Sequence, residues 1–286
     1  EPLYASIIGN VINFCLNAFF LFVLHKGVAG VATATVVSRI INLVIVVLLG
    51  AVLVKAKKHP ERESNREVMG QIIRIGLPSA CETAIYNVSM TLVIRFLNQM
   101  DAQGLNVTAR SYTMQITNFS YCVGAALAQA NAIMTGWRIG AKEYDACDRG
   151  TRKAAIIGVI VAVILETMFA LCSGWIMQLF SKDPQMVSLV GKLLAIDIVL
   201  EMGRVTNLVY GQALKTSGDA VFPVVMGACF MILCSVGGTY LFGIRLGLLA
   251  VGAYIGMAGD ECVRAVGMYL RWKSGKWKEK GLVKSR

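Results

Sequence analysis

Residues 220–244 read AVFPVVMGACFMILCSVGGTYLFGI, a stretch of 25 residues without Asp, Glu, Lys or Arg. A helix of about 20 apolar residues crosses the hydrocarbon core of a bilayer, so this stretch alone predicts a membrane span. Residues 3–24 and 111–137 are likewise free of these four residue types. The sequence therefore predicts a helical fold embedded in a membrane.

The composition of the whole chain agrees with this prediction. Hydrophobic residues make up 56% of the 286 residues and charged residues only 16%, whereas soluble domains are about a quarter charged. These values exclude a soluble enzyme, a disordered tail and a secreted disulfide scaffold. We predict an all-α polytopic membrane protein with eight transmembrane helices, at 3–24, 28–54, 70–98, 110–137, 154–178, 186–212, 221–243 and 246–270.

The net charge of +11 follows the predicted topology. Nineteen of the 28 Lys and Arg residues lie in the segments on one side, 55–74, 138–153, 212–220 and 271–286. Only five are assigned to the other side, Lys26, Arg110, Lys182, Lys192 and Arg245. Positive charge concentrates on the cytoplasmic side of membrane proteins. The asymmetry predicts a cytoplasmic C-terminus and argues against nucleic-acid binding.

The polar stretch KAKKHPERESNR at 55–66 divides the spans into two and six. We predict two helices of an N-terminal lobe at 1–54, a cytoplasmic linker at 55–69, a six-helix C-terminal lobe at 70–270 and a basic cytoplasmic tail at 271–286.

The two ends of the chain resemble each other. Pro2 and the turn beginning at Gly27 recur as Pro223 and the turn beginning at Gly247, with offsets of 221 and 220 residues. Internal repeats are typical of transporters. If the first two spans repeat the last two, four further helices are expected to precede Glu1.

Several acidic residues lie near the predicted middle of the membrane: Glu82, Glu166, Glu201, Asp260 and Glu261. A carboxylate at that depth costs at least ~2.5 kcal/mol, so it normally faces protein or water and often has a function. For Glu82 we favour a functional role over a structural hydrogen bond. For Glu166 the two interpretations remain equally open.

The acids of the sixth and eighth spans have basic partners in their own helices. Glu201, Arg204 and Asn207 lie along one face with Asp197, and Asp260 and Glu261 lie one turn before Arg264. We interpret both groups first as structural ion pairs, because breaking a buried pair leaves an uncompensated charge.

Two other features could shape a site. Pro78 should leave a backbone acceptor free one turn before Glu82, or serve only as a packing kink. In the fourth span a polar face of small and amide side chains suits either helix contact or a cavity wall; it comprises Ser111, Gln115, Asn118, Cys122, Ala125 and Gln129. Tyr86, one turn after Glu82, is a candidate for contact with a cation.

The sequence contains no Walker loop, H-E-x-x-H or G-x-S-x-G motif, so it predicts no catalytic residues. The eight cysteines form no C-x-x-C pair and the two histidines lie in loops, so no metal site is predicted beyond a possible Na⁺ at Glu82. Any work that the protein does should be driven by an ion gradient or by a partner.

Six motifs in order resemble the bacterial MATE (multidrug and toxic compound extrusion) family: IGLPSACE at 75–82, TGWRIGAKEYDA at 135–146, LEMGRVTNLV at 200–209, LKTSGDAVFP at 214–223, DECVR at 260–264 and RWKSGKW at 271–277. The resemblance implies a two-lobe bundle of six plus six helices, of which this chain holds helices five to twelve. It also implies a cation site formed by acids on helices seven and ten. Here Glu82 lies on helix seven, one turn nearer its Gly-Pro motif than in some members. Helix ten carries Asp197 and Glu201, and Glu201 belongs to an E-x-x-R pair with Arg204 where those members have a lone Asp.

The function expected from this resemblance is secondary antiport in a bacterial inner membrane. Mostly cationic small molecules would be exported in exchange for H⁺ or Na⁺, with no other cofactor and no obligate protein partner. The candidate binding residues are Glu82, Glu201, Asp197, Tyr86, Gln115 and Asn118. The structural polar residues are Pro78, Arg204, Asn207, Glu166, Asp260, Glu261 and Arg264.

Three other functions remain open. A related flippase for lipid-linked oligosaccharides would need a basic cavity, and an intramembrane enzyme would need convergent nucleophiles or metal ligands. A non-functional truncated transporter is the third.

Overall fold

The computed structural model describes residues 2–55, 65–100 and 104–280. Within these ranges all regular secondary structure is helical: α1 (Pro2–Ala18), α2 (Gly27–Lys55), α3 (Asn65–Met100), α4 (Leu105–Gly140), α5 (Tyr144–Leu171), α6 (Ser173–Met177), α7 (Pro184–Thr216), α8 (Val221–Phe230) and α9 (Leu249–Lys273). π-Helices extend α1 over Phe19–Val23 and α8 over Met231–Val236 and Thr239–Arg245, and a 3₁₀ turn over Lys276–Glu279 follows α9.

Eight of the described helices are long enough to span a bilayer when α1 and α8 are counted with their π-helical extensions. This confirms the predicted all-α polytopic fold. Three segments are also apolar enough to qualify as spans by composition: Gly27–Gly50, Tyr144–Leu171 and Val221–Arg245. The helices α3, α4, α7 and α9 carry more polar and charged side chains, which form the site described below.

Some predicted helix boundaries are wrong. The fourth span begins at Leu105 rather than 110, and α5 begins at Tyr144, inside the predicted loop 138–153. The apolar pattern marks only the part of a helix that lies in lipid, whereas the helix continues into water, where Arg152 pairs with Asp148 at 2.9 Å. Of the predicted linker, residues 65–69 are helical and residues 56–64 lie outside the described residues, as do 281–286 of the tail.

The chain divides into two compact units, residues 1–68 and 69–286. In the first unit α1 packs against α2. Asn13 Nδ2 donates a hydrogen bond to Ser38 Oγ at 2.8 Å, and a Cβ at Gly9 would lie 2.9 Å from Asn42 Cγ. The two helices are therefore joined by small and polar side chains, as is usual where no water drives helix association.

In the second unit α7 is the central helix and packs against α4, α5 and α9. The side chain of Val205 fits between two glycines, because a Cβ at Gly124 of α4 or at Gly158 of α5 would lie 2.7 Å from it. On the other side of α7, a Cβ at Gly203 would lie 2.9 Å from the backbone of Cys262 in α9. Small residues thus bring three helices close to α7 and fix its position.

The end of the chain folds back on the second unit through what we call the terminal cluster: Asp219, Arg271, Trp272, Trp277 and Lys280. Asp219 accepts hydrogen bonds from Arg271 Nε at 2.6 Å and Lys280 Nζ at 2.7 Å. The rings of Trp272 and Trp277 stack with centroids 4.2 Å apart. Burial would raise the pKa of the Asp219 carboxyl, but the hydrogen bonds and charges of the two cations outweigh burial and hold it below its usual range.

The π-helical ends of α1 and α8 have the same local geometry. Leu24 N donates to Phe19 O, and Leu246 N donates to Leu241 O. Both members of the second bond lie 222 positions after those of the first. Positive φ angles occur at His25 and Gly27 and again, 222 positions later, at Gly247 and Leu249. The predicted repeat is therefore present in the backbone, and its offset is 222 rather than 220 or 221.

Gly252→Ala is expected to destabilise the second unit by about 1–3 kcal/mol, the usual cost of overpacking. The new Cβ would overlap the backbone carbonyl carbon of Phe242, so α9 would have to move away from the π-helix. Gly259→Ala, in the same helix with nothing within 4 Å, is the matched control. The melting temperature of the purified protein in detergent measures both effects, and equal melting temperatures would contradict this packing.

Asp219→Asn is expected to lower the melting temperature at neutral pH, because the amide loses the charge that binds Arg271 and Lys280. The folded-state pKa of Asp219 is lowered, so its stabilisation is complete above the unfolded-state pKa of about 3.9 and is lost as the pH falls through the lower folded-state value. The difference between wild type and variant should therefore shrink below about pH 4. A difference that is constant with pH would show that the ion pairs do not stabilise the fold.

Candidate functional site

A cavity of about 530 Å³ lies within the second unit, between side chains of α3, α4, α7, α9 and the segment of α8 with its π-helical extension. Four acids line it: Glu82, Asp197, Asp260 and Glu261. Four bases line it as well: Arg110, Arg204, Lys215 and Arg264. The sequence had indicated mainly acidic residues at this depth, whereas the cavity wall is evenly balanced in charge.

The predicted ion pairs within α7 and α9 are present. Arg204 Nη1 lies 2.7 Å from Glu201 Oε2. In α9, Arg264 lies 2.8 Å from Asp260 Oδ1 and 2.9 Å from Glu261 Oε1. These pairs have the (i, i+3) and (i, i+4) spacings at which side chains of a helix meet.

Contacts that the sequence did not predict join the two groups of charges. Arg204 Nε lies 3.6 Å from Glu261 Oε1, and Asn207 Nδ2 donates to Glu261 Oε2 at 3.0 Å. Ser235, in the π-helical part of α8, donates to Asp260 Oδ2 at 2.9 Å. One network therefore connects α7, α9 and the extension of α8.

Glu82 has a basic partner from another helix. Lys215 Nζ lies 2.6 Å from Glu82 Oε2. The sequence assigned Lys215 to a loop at 212–220, but α7 continues to Thr216 and its last turn directs the lysine into the cavity. Gly227 of α8 lies beside the carboxyl, because a Cβ there would be in ordinary van der Waals contact with Glu82 Oε1 at 3.5 Å.

The two candidate acids of α7 differ in their surroundings. Asp197 is buried and lines the cavity, and its Oδ2 atom has no hydrogen-bond partner within the described chain. Glu201 is fully buried and does not line the cavity, although it pairs with Arg204, which does. Glu166 of α5 is also fully buried and does not line the cavity. It lies within electrostatic range of the like-charged Asp197 and Glu201. Asp197 is therefore the acid of α7 that a ligand in the cavity would reach.

The predicted polar face of α4 lies only partly at the cavity. Tyr86 of α3 and Asn118 line the cavity, but Gln115 is exposed and does not. A neighbouring series with the same 4-3 spacing faces inward instead: Asn106, Arg110, Thr113, Thr117, Ser120 and Gly124. Spacing alone cannot say which of two such faces points inward, and the small residues of this series permit the close approach to α7.

Sequence reasoning missed Arg110, which it had assigned to an outer connection. The residue lies in the second turn of α4, is 6% exposed and lines the cavity. Its 4-3 spacing with the polar and small residues of that series was a signal in the sequence, but spacing alone did not show that this face points inward. Pro78 lies inside α3, which continues through it as a helix.

Eight long helices among the described residues, with a charged cavity in the second unit, are features of polytopic membrane proteins. The MatE family model matches residues 78–241, more than half of the sequence. The chain belongs to this family.

Relatives over the whole chain agree with that membership. The chain is 32% identical to "Uncharacterized transporter YisQ" of Bacillus subtilis over 289 residues, which cover 99% of the chain and 63% of that protein. It is 23% identical to "Probable multidrug resistance protein NorM" of Thermotoga maritima, with coverage of 99% and 61%. The chain thus spans less than two thirds of the length of these relatives.

Solved structures share the fold. The eukaryotic MATE transporter AtDTX14 matches with a TM-score of 0.86 and 19% identity, over 98% of this chain and 63% of that one. A MATE protein in the straight conformation matches with a TM-score of 0.82 and 20% identity, over 96% and 63%. The described helices therefore share the fold of about 63% of each of these two MATE chains.

Arg204→Ala is expected to lower the yield of folded protein more than Glu82→Gln does. Removing Arg204 leaves Glu201 as an uncompensated buried carboxylate, which costs about 3–5 kcal/mol. Lys215, by contrast, keeps a partly exposed side chain when Glu82 is neutralised. Size-exclusion chromatography in detergent measures the folded fraction, and equal yields for the two variants would argue against this buried pair.

Proposed function

We propose that the complete gene product is a secondary antiporter that exports small, mostly cationic molecules in exchange for H⁺ or Na⁺. The single observation that carries this proposal is a cavity lined by two acids on different helices, Glu82 of α3 and Asp197 of α7. Carboxylates that face a cavity inside a membrane bundle are usual in ion and substrate pathways. Several relatives are named as multidrug resistance or extrusion proteins, which supports the same function.

Glu82 is the proposed site of the coupling ion. Its carboxylate is held by Lys215, which acts as an internal cation. A proton that binds Glu82, or a sodium ion or cationic substrate that displaces Lys215, would release this contact between α3 and α7. Because each ligand would favour a different arrangement of these helices, competition at one carboxylate can couple the two flows.

The lining of the cavity supports a broad range of substrates. Five methionines line it: Met90, Met114, Met231, Met257 and Met268. Methionine is unbranched and polarisable, so it adapts to ligands of different shape. Flexible methionine-rich surfaces are typical of proteins that bind many partners.

The charge of the cavity does not favour the flippase alternative. A lipid-linked pyrophosphate needs a strong excess of positive charge, and the wall carries as many acids as bases. The excess of Lys and Arg on one side supports a location in the bacterial inner membrane with the C-terminus in the cytoplasm.

Glu82→Gln is expected to abolish gradient-driven efflux of a fluorescent cation while leaving expression intact, because the amide cannot exchange a proton or balance an ion. The measurement uses the complete gene product in proteoliposomes, with H⁺ and Na⁺ gradients imposed separately. Glu143→Gln, which removes an exposed carboxylate outside the cavity, is the matched control.

The double variant Glu82→Gln with Lys215→Met tests whether any loss comes merely from a stranded lysine. If efflux returns in the double variant, Glu82 serves only to neutralise Lys215. Normal efflux by Glu82→Gln alone would remove this residue from the mechanism.

A further inference from the structure

Arg110 differs from the other bases of the cavity in having no acidic partner. Arg204, Lys215 and Arg264 each lie within 2.9 Å of a carboxylate oxygen. Across the described residues no carboxylate oxygen lies within 4 Å of the Arg110 guanidinium. Its polar contact is with Met90 Sδ at 3.7 Å, and its Nε atom has no hydrogen-bond partner in the part of the chain that the structure describes.

This arrangement is costly unless a ligand completes it. Arg110 is only 6% exposed, and a buried cation without a partner loses its hydration and gains no compensating attraction. A thioether sulfur is a weak acceptor and cannot replace a carboxylate. The guanidinium nevertheless belongs to the cavity wall, so its free donors are available to a molecule inside.

The geometry of a guanidinium selects the chemistry of that molecule. Its planar fork of N–H donors matches a carboxylate, which it can bind with two parallel hydrogen bonds. Tyr254 is buried, lines the same cavity and lies within electrostatic range of both Arg110 and Asp197. Asp197, which lines the same cavity, disfavours a dianion and offers a place for a positive group, so a carboxylate joined to a cation fits better than a phosphate.

We infer that Arg110 forms a carboxylate subsite and that the substrates of this cavity include zwitterions, with the anionic group on Arg110 and the cationic group toward Asp197. This inference rests on the proposed transport function and narrows its substrate class from cations in general. Met90 and Met257 give the subsite adaptable apolar walls, which would accommodate an aromatic or aliphatic body between the two charged groups.

A pair of dyes tests the subsite directly. Tetramethylrhodamine has a cationic ring system and a free carboxylate, and tetramethylrhodamine methyl ester differs only in masking that carboxylate. Binding of each dye to the purified complete gene product in detergent is followed by fluorescence polarisation. Wild type should bind the acid more tightly than the ester, and Arg110→Gln should weaken acid binding by about tenfold or more, as expected for charge-assisted hydrogen bonds.

Two controls separate the subsite from general effects of charge and folding. Ester binding by Arg110→Gln should be no weaker than in wild type, because the loss of a positive charge does not disfavour a cation, and this result shows that the cavity is intact. Arg95→Gln removes an exposed arginine outside the cavity and should change neither dye. If Arg110→Gln no longer binds the ester, Arg110→Lys is tested in its place. Lysine keeps the positive charge but lacks the planar fork of donors, so the ratio of acid affinity to ester affinity should fall to less than about half of the wild-type ratio.

The outcomes also distinguish this inference from the transport proposal. Equal affinities of wild type for acid and ester, or an acid preference that survives the loss of Arg110, would overturn the subsite. If acid binding depends on Arg110 but neither dye is exported under an imposed gradient, the subsite stands and the transport function fails. If wild type and Arg110→Gln export the ester equally and neither prefers the acid, transport stands and the subsite is wrong.

Discussion

The charged network of α7 and α9 is the set of interactions on which the second unit depends; it has ion pairs within each helix, and one ion pair and one hydrogen bond between them. Glu201 is fully buried and pairs with Arg204 of its own helix, and Arg204 also reaches across to Glu261 of α9, so the charges of the two helices meet at this arginine. In a low-dielectric interior such charges are tolerable only when paired and hydrogen-bonded. Polar contacts between charged side chains therefore constrain the position of α7 relative to α9, in addition to the close packing of the two helices.

Close packing makes that neutralisation possible. The backbone of α9 approaches Gly203 to a distance that admits no side chain, and Val205 on the same helix occupies the space left by two glycines. Helices in lipid gain little from excluding water, so small residues and polar contacts must hold them together. Open space remains beside these contacts in the unit's charged interior, and that space is the cavity described above. Structure and site thus arise from one set of short-range contacts.

The sequence predicted the interactions that are local and missed those that depend on how helices are rotated and where they end. The eight spans follow from apolar stretches of the sequence. The ion pairs of Arg204 and Arg264 follow from the spacing of charged residues along one helix. The contact between Lys215 and Glu82 does not, because it requires α7 to extend past its apolar segment and α3 to lie beside that extension. Arg110 was misplaced for a related reason: hydropathy located the lipid-facing part of α4 but not its first turns.

The repeated bend at the ends of α1 and α8 shows what an internal duplication keeps. In each copy two positions have positive φ, and glycine occupies only one of them: Gly27 follows His25 in the first copy, and Gly247 precedes Leu249 in the second. The residue that relieves backbone strain has thus changed places while the path of the chain has stayed the same. The common origin of the two copies is visible in the positions of their backbone hydrogen bonds, which repeat after 222 residues. Aligning the two copies by their Pro and Gly residues instead misplaces one copy by one or two residues.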